Sequence, residues 1–277
     1  MQSLSRKENL DEILNKYSQI VVDECHHLSA FSFESILKRS RARFVLGLTA
    51  TPVRRDGHQP IIFMQCGPVR HKAVSPENAP TNLEVRPRWL PPPEISADDS
   101  VQGLFTLLVE SNIRNRVIAE DVLAAYNEGR KIIVLTERTD HLDRLHKELG
   151  ELENTFVLHG RLPKKARATV FDELSTLNDD VPRVLLATGK LVGEGFDYPP
   201  LDTLMLAMPI SWKGILQQYA GRLHRNHPTK SDVRIYDYVE LGHPLLRKMW
   251  EKRVRGYLAM GYRIDGSPDE SMNFNGF

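Results

Sequence analysis

Two short segments of this sequence hold side chains that could act on phosphate groups. Asp23 and Glu24 directly follow the apolar run Ile20–Val22. A carboxylate at a strand end can hold Mg²⁺, usually through water, and a second carboxylate can polarise a water molecule that attacks phosphorus. Far along the chain, Arg222 and Arg225 lie in a segment with helical spacing, and guanidinium groups can contact phosphate oxygens. The Asp-Glu pair alone is also typical of solvated loop acids, so both interpretations stay open at this point.

The segment Gly47–Pro52 reads Gly-Leu-Thr-Ala-Thr-Pro and ends the next apolar run. The hydroxyls of Thr49 and Thr51 could link the carboxylates to a bound partner, although a simple strand-end turn explains the same residues. The sequence contains no G-x-x-x-x-G-K-[ST] segment, which is the loop whose backbone N–H groups and lysine cradle nucleotide phosphates. The candidate phosphate chemistry therefore comes without one of its usual parts.

Strands and helices must bring these side chains together, and the apolar pattern predicts an α/β fold. In the first part of the chain it predicts strands at Ile20–Val22 and Phe44–Leu48, and helices over 8–17 and 31–39. A helical region over 100–128 precedes a regular alternation of strands and helices. The strands of that alternation are Ile132–Leu135, Thr155–Leu158, Val184–Ala187, Thr203–Ala207 and Val233–Tyr236, and the helices are 139–149, 163–175, 211–221 and 244–260. Short apolar runs separated by helices indicate parallel sheets covered on both faces.

A proline-rich stretch separates the two parts. Six prolines lie between residues 75 and 96, and proline removes a backbone donor and fixes φ, so this stretch is predicted not to be helical. We interpret 75–99 as a linker with an extended piece near Leu83–Leu90. The predicted organisation is a first domain over 1–74, this linker, and a second domain over 100–277.

The composition, with 41% hydrophobic and 26% charged residues, is that of a globular protein. No apolar run approaches the ~18 residues that cross a membrane, the N-terminus lacks an apolar signal core, and two cysteines do not make a disulfide framework. We expect no membrane partner and a cytoplasmic location, associated with the nucleoid if the protein is bacterial. Residues 211–263 carry eleven Lys or Arg against four Asp or Glu. This excess is either a solvated helix face or a surface that meets phosphates.

The aromatic residues of the last two predicted helices favour packing over base stacking. Tyr219 lies within the predicted helix 211–221, and Trp250 and Tyr257 are spaced to face the core from the last helix. Arg253 and Arg255 are then expected on its outer side.

Six segments occur in the order of the motifs of one enzyme family. Asp-Glu-Cys-His at 23–26 and Thr-Ala-Thr at 49–51 resemble motifs II and III of the superfamily 2 helicases. Further along, 132–145 resembles motif IV, Leu158-His159-Gly160 resembles the strand end that follows it, 187–199 resembles motif V, and 218–225 matches the Q-x-x-G-R-x-x-R of motif VI. The DECH box and the Gly-Phe-Asp of motif V look closest to the XPB-like and restriction-enzyme translocase branch of these DEAD/DEAH-type helicases. The resemblance covers nearly the whole chain.

The resemblance implies RecA-like parallel sheets, with a partial first domain and a complete second domain. It implies ATP and Mg²⁺ as cofactors, hydrolysis at an inter-domain cleft, and movement along a nucleic acid, with DNA favoured over RNA. The implied catalytic residues are Asp23 as Mg²⁺ ligand, Glu24 nearby as general base, Arg225 as arginine finger, Arg222 as a second phosphate contact and Gln218 as nucleotide sensor. Gly195 and Asp197, with Asp23, are the implied nucleotide contacts. The residues implied to contact nucleic acid or to couple it to ATP are Thr49, Thr51, Thr136, His159, Gly160 and Thr188.

In this family the phosphate loop precedes motif II, so we expect the chain to be truncated at its N-terminus, about halfway through the first domain. Three hypotheses follow. The chain is a fragment of an ATP-dependent DNA helicase or translocase that is inactive alone, a nucleic-acid-binding or partner-docking module without hydrolysis, or half of a split motor whose partner chain supplies the missing N-terminal half-domain. Because half a domain has too few strands to cover its sheet, we expect residues 1–72 to be less stable than 100–262, or to dock onto another surface.

Overall fold

The computed structural model describes residues 9–23, 25, 36–49, 59–72, 80, 82–92, 100–189, 197–210 and 213–266. The chain divides between Ser75 and Pro76 into two compact units. Within the described residues, no helix is both long enough and apolar enough to span a membrane.

The first unit contains a two-stranded parallel sheet of β1 (Gln19–Val22) and β2 (Phe44–Gly47). Helix α1 (Leu10–Leu14) and helix α2 (Gln59–Cys66) accompany it. Successive side chains of a strand point to opposite faces of the sheet. On one face Val22 packs in a buried cluster with Cys25 and Ile62, and Ile20 packs against both this cluster and that of Leu10.

The opposite face of this small sheet is apolar and exposed. Val21, Phe44, Leu46 and Leu48 have exposed fractions between 45% and 58%. These side chains are apolar, as they are on a buried sheet face, but here they are exposed. Among the described residues of the first unit, a buried cluster therefore forms on one face of the sheet, whereas a parallel sheet is usually covered on both faces.

The second unit is built on seven parallel strands. They are β3 (Asn82–Trp89), β4 (Lys131–Thr136), β5 (Thr155–Leu158), β6 (Arg183–Thr188), β7 (Thr203–Leu206), β8 (Asp232–Val239) and β9 (Arg263–Ile264), in the order β5-β6-β4-β7-β8-β3-β9. The helices are α3 (Val101–Glu110), α4 (Asn112–Asn127), α5 (Thr139–Leu149), α6 (Lys164–Thr176), α7 (Lys213–Leu223) and α8 (Pro244–Ala259). Ser100 and Ser111 start α3 and α4 by accepting hydrogen bonds from Gly103 N and Arg114 N, as N-cap residues do.

Helices cover both faces of this sheet. Ile133 and Leu135 of β4 point into a core completed by α6, α7 and α8, whereas Ile132 and Val134 point into a second core completed by α4 and α5. This alternation confirms the predicted doubly covered parallel sheet. The strands predicted between 132 and 236 all occur, and the region 100–128 forms the two helices α3 and α4.

The extended piece predicted near Leu83–Leu90, within the stretch interpreted as a linker, is strand β3 of the second unit. Strand β3 lies inside the sheet and pairs with β8 over its whole length, from Asn82 opposite Asp232 to Trp89 opposite Val239. Strand β9 pairs only with Glu84 and Val85 of β3. Among the described strands, β3 thus has a neighbour on one side only at Pro87, which is where a strand tolerates proline.

The expectation that Arg253 faces outward is wrong. Its side chain is buried and donates two hydrogen bonds to the carboxylate of Asp237, from Nε at 2.7 Å and from Nη2 at 2.9 Å. The hydroxyl of Tyr257 donates to the same carboxylate at 2.7 Å. Helix α8 therefore brings a charge into the core, where Asp237 of β8 neutralises it.

Candidate functional site

In the first unit, backbone hydrogen bonds join the chain after β1 to the chain after β2. Leu48 N donates to Val22 O at 2.8 Å, and Cys25 N donates to Leu48 O at 3.0 Å. These bonds bring Asp23, which is exposed, and Thr49, which is half-buried, to the same end of the sheet. Ligands of parallel sheets bind at this carboxyl end of the strands. The predicted partners Glu24 and Thr51 lie outside the described residues.

In the second unit, three predicted residues lie at the carboxyl ends of neighbouring strands. Thr136 of β4 is opposite Thr188 of β6, and Leu158 of β5 is opposite Ala187. His159 directly follows Leu158, so the strand order brings it to the same edge. Both threonines are buried, His159 is half-buried, and Gly160 is exposed.

The buried side chain of Thr136 makes hydrogen bonds within the second unit. Its hydroxyl accepts a hydrogen bond from Arg138 N at 3.3 Å and lies 3.0 Å from Nδ1 of His141. Nε2 of His141 lies 2.9 Å from the side-chain oxygen of Asn115, so the consistent arrangement has Nε2–H donating to Asn115 and Thr136 donating to Nδ1. The hydroxyl of Thr136 thus donates one hydrogen bond and accepts one inside the domain. Burial, followed by the nearby charge of Arg114, lowers the pKa of His141 to about 3, so this imidazole is neutral.

Asp197 and Arg225 form an ion pair, with Nε of Arg225 at 3.3 Å from the Asp197 carboxylate. Their side chains are 53% and 52% exposed, so a ligand can still reach the guanidinium. The pair joins a residue of the motif V segment to the last residue of the motif VI segment. Gly195, predicted to act with Asp197, lies outside the described residues.

Helix α7 carries the other predicted phosphate contacts. Gln218 and Arg222 are half-buried, and each makes interactions within the protein. Between them Tyr219 is buried, as predicted, and its hydroxyl donates to Glu137 at 2.9 Å. Burial raises the pKa of Glu137, and the hydrogen bond from Tyr219 opposes that shift.

Gly189 belongs to the same group of contacts. A Cβ atom at this position would lie closer to the Tyr219 hydroxyl and to the Glu137 carboxylate than real Cβ atoms approach. Glu137 follows β4, Gly189 follows β6, and Tyr219 lies on α7, so this contact connects the segments of motifs IV, V and VI. In the sequence, the one signal for this contact is that Glu137 and Gly189 directly follow the predicted site residues Thr136 and Thr188.

The predicted site residues are of chemical types that suit a magnesium nucleotide. Asp23 is a carboxylate at a strand end of the first unit, and Arg222 and Arg225 are permanent cations at and just after the C-terminal end of α7 in the second unit. Within the described ranges, no group of three or more His, Cys, Asp or Glu side chains could hold a metal ion. The carboxylate of Asp23 suits Mg²⁺, which is usually bound by one or two carboxylates together with phosphate oxygens and water.

The sequence matches two protein-family models. The model described as type III restriction enzyme, res subunit, matches residues 1–54, and the model described as helicase conserved C-terminal domain matches residues 115–227. These matches cover the segments that carry Asp23 and Thr49 in one case, and His159, Thr188 and Arg225 in the other.

The chain is also similar to curated relatives and to solved structures. The chain is 31% identical over 243 residues to DNA 3'-5' helicase XPB of Kineococcus radiotolerans, covering 79% of this chain and 39% of the relative. It is 28% identical over 267 residues to the probable helicase D10 of Escherichia phage T5, covering 92% and 56%. The structure of S. cerevisiae Dbp5 bound to RNA and ADP BeF3 matches with a TM-score of 0.58 at 14% identity, covering 92% of this chain and 62% of that one. This likeness shows the RecA-like fold alone. The chain spans about half the length of the first curated relatives that it matches.

Proposed function

The chain belongs to the superfamily 2 helicases, and from this premise we propose that it is part of a DNA helicase or translocase. This part carries motifs II to VI and couples ATP hydrolysis to movement on the DNA backbone. The observation that carries the proposal is the exposed pair of Arg225 and Asp197, separated by 3.3 Å. A guanidinium held by a carboxylate, and still half exposed, is oriented for a second anion. This is what an arginine that stabilises a phosphoryl-transfer transition state requires.

Each site residue then has a task that its chemistry supports. When bound, Mg-ATP supplies the γ-phosphoryl group that water attacks. Asp23 would hold Mg²⁺ through its carboxylate, and Glu24 would accept a proton from the attacking water. Arg225 and Arg222 donate hydrogen bonds to phosphate oxygens as negative charge develops, and Gln218 senses the nucleotide.

Other residues of the proposal contact the nucleic acid or transmit its presence. Thr49 and Thr51 couple the nucleotide state to the grip on DNA. Thr188, the half-buried His159 and the exposed Gly160 lie at one edge of the second sheet, where backbone phosphates would be contacted. The choice of DNA over RNA rests on the DECH box, on the Gly-Phe-Asp of motif V and on the similarity to XPB, a DNA 3'-5' helicase.

A second candidate function has its own support. The 277 residues contain no G-x-x-x-x-G-K-[ST] segment, and one face of the first sheet is apolar and exposed. We propose that the contacts to the β- and γ-phosphates come from polypeptide outside these residues, in the same protein or in a partner chain, which would also cover Val21, Phe44 and Leu46. If no such polypeptide acts with it, the chain binds nucleic acid or a partner without hydrolysis.

The test is ATP hydrolysis by the purified chain, alone and mixed with the polypeptide encoded directly upstream, with single-stranded DNA, duplex DNA or RNA of equal length. We expect no turnover alone and DNA-stimulated turnover in the mixture. Arg225→Ala should lower the stimulated rate by about 10³-fold, while Arg255→Ala on the exposed side of α8 should leave it unchanged. Robust turnover by the chain alone would contradict the need for outside phosphate contacts. Salt-insensitive DNA binding with no turnover in any mixture would remove both the motor and the binding-module hypotheses.

A further inference from the structure

Lys230 makes a set of contacts that no sequence motif announced. It lies in the turn between α7 and β8, which has the sequence His-Pro-Thr-Lys. A hydrogen bond from Lys230 N to His227 O, of 3.1 Å, closes this turn. Its ammonium group donates to the carbonyl oxygens of Pro199 at 2.6 Å, Leu223 at 2.8 Å and Arg225 at 2.9 Å. An ammonium has three N–H donors, so all of them are used on backbone oxygens.

Two of these acceptors lie at the end of helix α7. Leu223 is its last residue and Arg225 follows two positions later. Carbonyls at a helix C-terminus have no partner within the helix and carry partial negative charge, so a cation there stabilises them. Lys230 thus fixes the backbone from which the side chain of Arg225 departs.

The third acceptor belongs to the segment that carries the partner of Arg225. Pro199 lies two residues after Asp197, and Tyr198 between them is anchored separately, since its hydroxyl donates to Leu174 O at 3.2 Å. The backbone that follows Asp197 is therefore held by two contacts, one from Lys230 to Pro199 and one from Tyr198 to Leu174. Among the described contacts of Arg225, only the bond from Lys230 holds its carbonyl oxygen.

We propose that Lys230 is a positioning residue that holds Arg225 against Asp197 and so sets the direction of the arginine finger. The inference rests on the proposed function of Arg225. Burial lowers the pKa of Lys230 to about 8, and the charge of Asp202 opposes this shift. Partial burial therefore disfavours the charged form of the lysine, and the three carbonyl acceptors offset this effect.

The first experiment uses the 277-residue chain without nucleotide. The Nε–H resonance of Arg225 is identified in an NMR spectrum by its loss in Arg225→Lys, and its response to Asp197→Asn calibrates the loss of the ion pair. We expect Lys230→Met to shift this resonance in the same direction, and the double variant to shift it no further. Lys248→Met, which removes an exposed lysine of α8, should have no effect. An unchanged resonance in Lys230→Met would overturn the inference.

Lys230→Arg keeps the experiment decisive if the methionine variant does not fold. Arginine retains the charge, but its planar fork cannot direct three donors at three converging carbonyls. We expect an intermediate shift of the Arg225 resonance and faster amide exchange near 224–226, with unchanged exchange in β4 and β6. A wild-type resonance and wild-type exchange in Lys230→Arg, together with an unfolded Lys230→Met, would assign Lys230 to stability alone and contradict the inference.

The second experiment uses the mixture that hydrolyses ATP. We expect Lys230→Met to lower kcat by about 10- to 100-fold, as a displaced catalytic group does, with the KM for ATP changed less than about twofold. In the Arg225→Ala background it should have no further effect, because both act through one group. If Arg225→Ala itself leaves kcat unchanged, the proposed role of Arg225 has failed. If Arg225→Ala lowers kcat and Lys230→Met does not, only the role of Lys230 has failed.

Discussion

The two units contain the same kind of strand and differ in what covers it. In the second unit, β4, β6 and β7 are buried along nearly their whole length, with helices on both faces. In the first unit, β1 and β2 pair in parallel in the same way, yet Val21, Phe44 and Leu46 remain exposed. A parallel strand gains most of its stability from the helices on its two faces. Within one chain, motifs of one family can therefore lie on two sheets that differ in how completely their faces are covered.

The largest expected consequence is a difference in amide exchange. We expect the amides of β1 and β2 to exchange at least about 10²-fold faster than those of β4 and β6, because a sheet with one covered face opens locally at lower free energy. Hydrogen–deuterium exchange with mass spectrometry measures this on the chain alone. Equal protection of the two sheets would contradict the comparison, and protection of β1 and β2 that appears only with an added polypeptide would sharpen it.

Removing the partner of one buried charge should lower the unfolding free energy of the second unit. We expect this loss to exceed that from any surface substitution in the first unit. Arg253→Met removes the partner of a fully buried Asp237, and an uncompensated buried carboxylate costs about 3–5 kcal/mol of unfolding free energy. Urea denaturation followed by fluorescence measures the change. Arg255→Met, on the exposed side of the same helix, is the matched control and should change stability by less than about 0.5 kcal/mol. A loss below about 1 kcal/mol for Arg253→Met would show that the buried pair contributes little.

The fate of Arg253 illustrates what sequence reasoning could and could not do. Apolar runs such as Ile132–Leu135 predicted their strands correctly because that signal is local. The burial of Arg253 depends on Asp237, which β8 delivers from another element, and a charge on a helix otherwise indicates solvent. The pairing of β3 with β8, 150 residues away in the chain at Glu84 and Arg234, was equally non-local. For the site, the motifs predicted the pair of Asp197 and Arg225 as neighbours of one nucleotide, but the contacts of Lys230 and Gly189 arise only from the packing of α7.

Gly189→Ala should destabilise the second unit by about 1–3 kcal/mol, which is the usual cost of overpacking a tight contact. The added methyl would collide with the Tyr219 hydroxyl and the Glu137 carboxylate. Thermal or urea unfolding measures the loss. Gly221→Ala is the matched control, because no atom lies within 4 Å of a Cβ at that helical position, and alanine there should be neutral or stabilising. Equal behaviour of the two variants would mean that the region around Gly189 can relax.

Acid should weaken the second unit through His141. Its folded pKa of about 3 lies below the ordinary value of 6.5, so the unfolded chain binds more protons between these values and stability falls as pH is lowered. The expected slope is about 1.4 kcal/mol per pH unit, or about 2 kcal/mol between pH 6.5 and pH 5. The difference in urea stability between wild type and His141→Asn at several pH values isolates this contribution. His146→Asn, which replaces an exposed histidine of the same helix, should retain the full slope, and a full slope in His141→Asn would refute the assignment.

The smallest effect is expected where the first unit exposes its apolar face. Leu46→Thr keeps a residue that favours strands and should change the unfolding free energy of the chain alone by less than about 0.5 kcal/mol. Val22→Ala, on the covered face of the same sheet, should cost about 2 kcal/mol, and hydrogen exchange of β1 can resolve the two. If added polypeptide covers the exposed face, Leu46→Thr should then weaken its binding by about tenfold, since a buried leucine contributes more than 1.4 kcal/mol. A substitution that is silent alone and costly in the complex would show that β2 carries the sequence of a covered strand, and that the weakness of the first unit lies in its covering rather than in its strands.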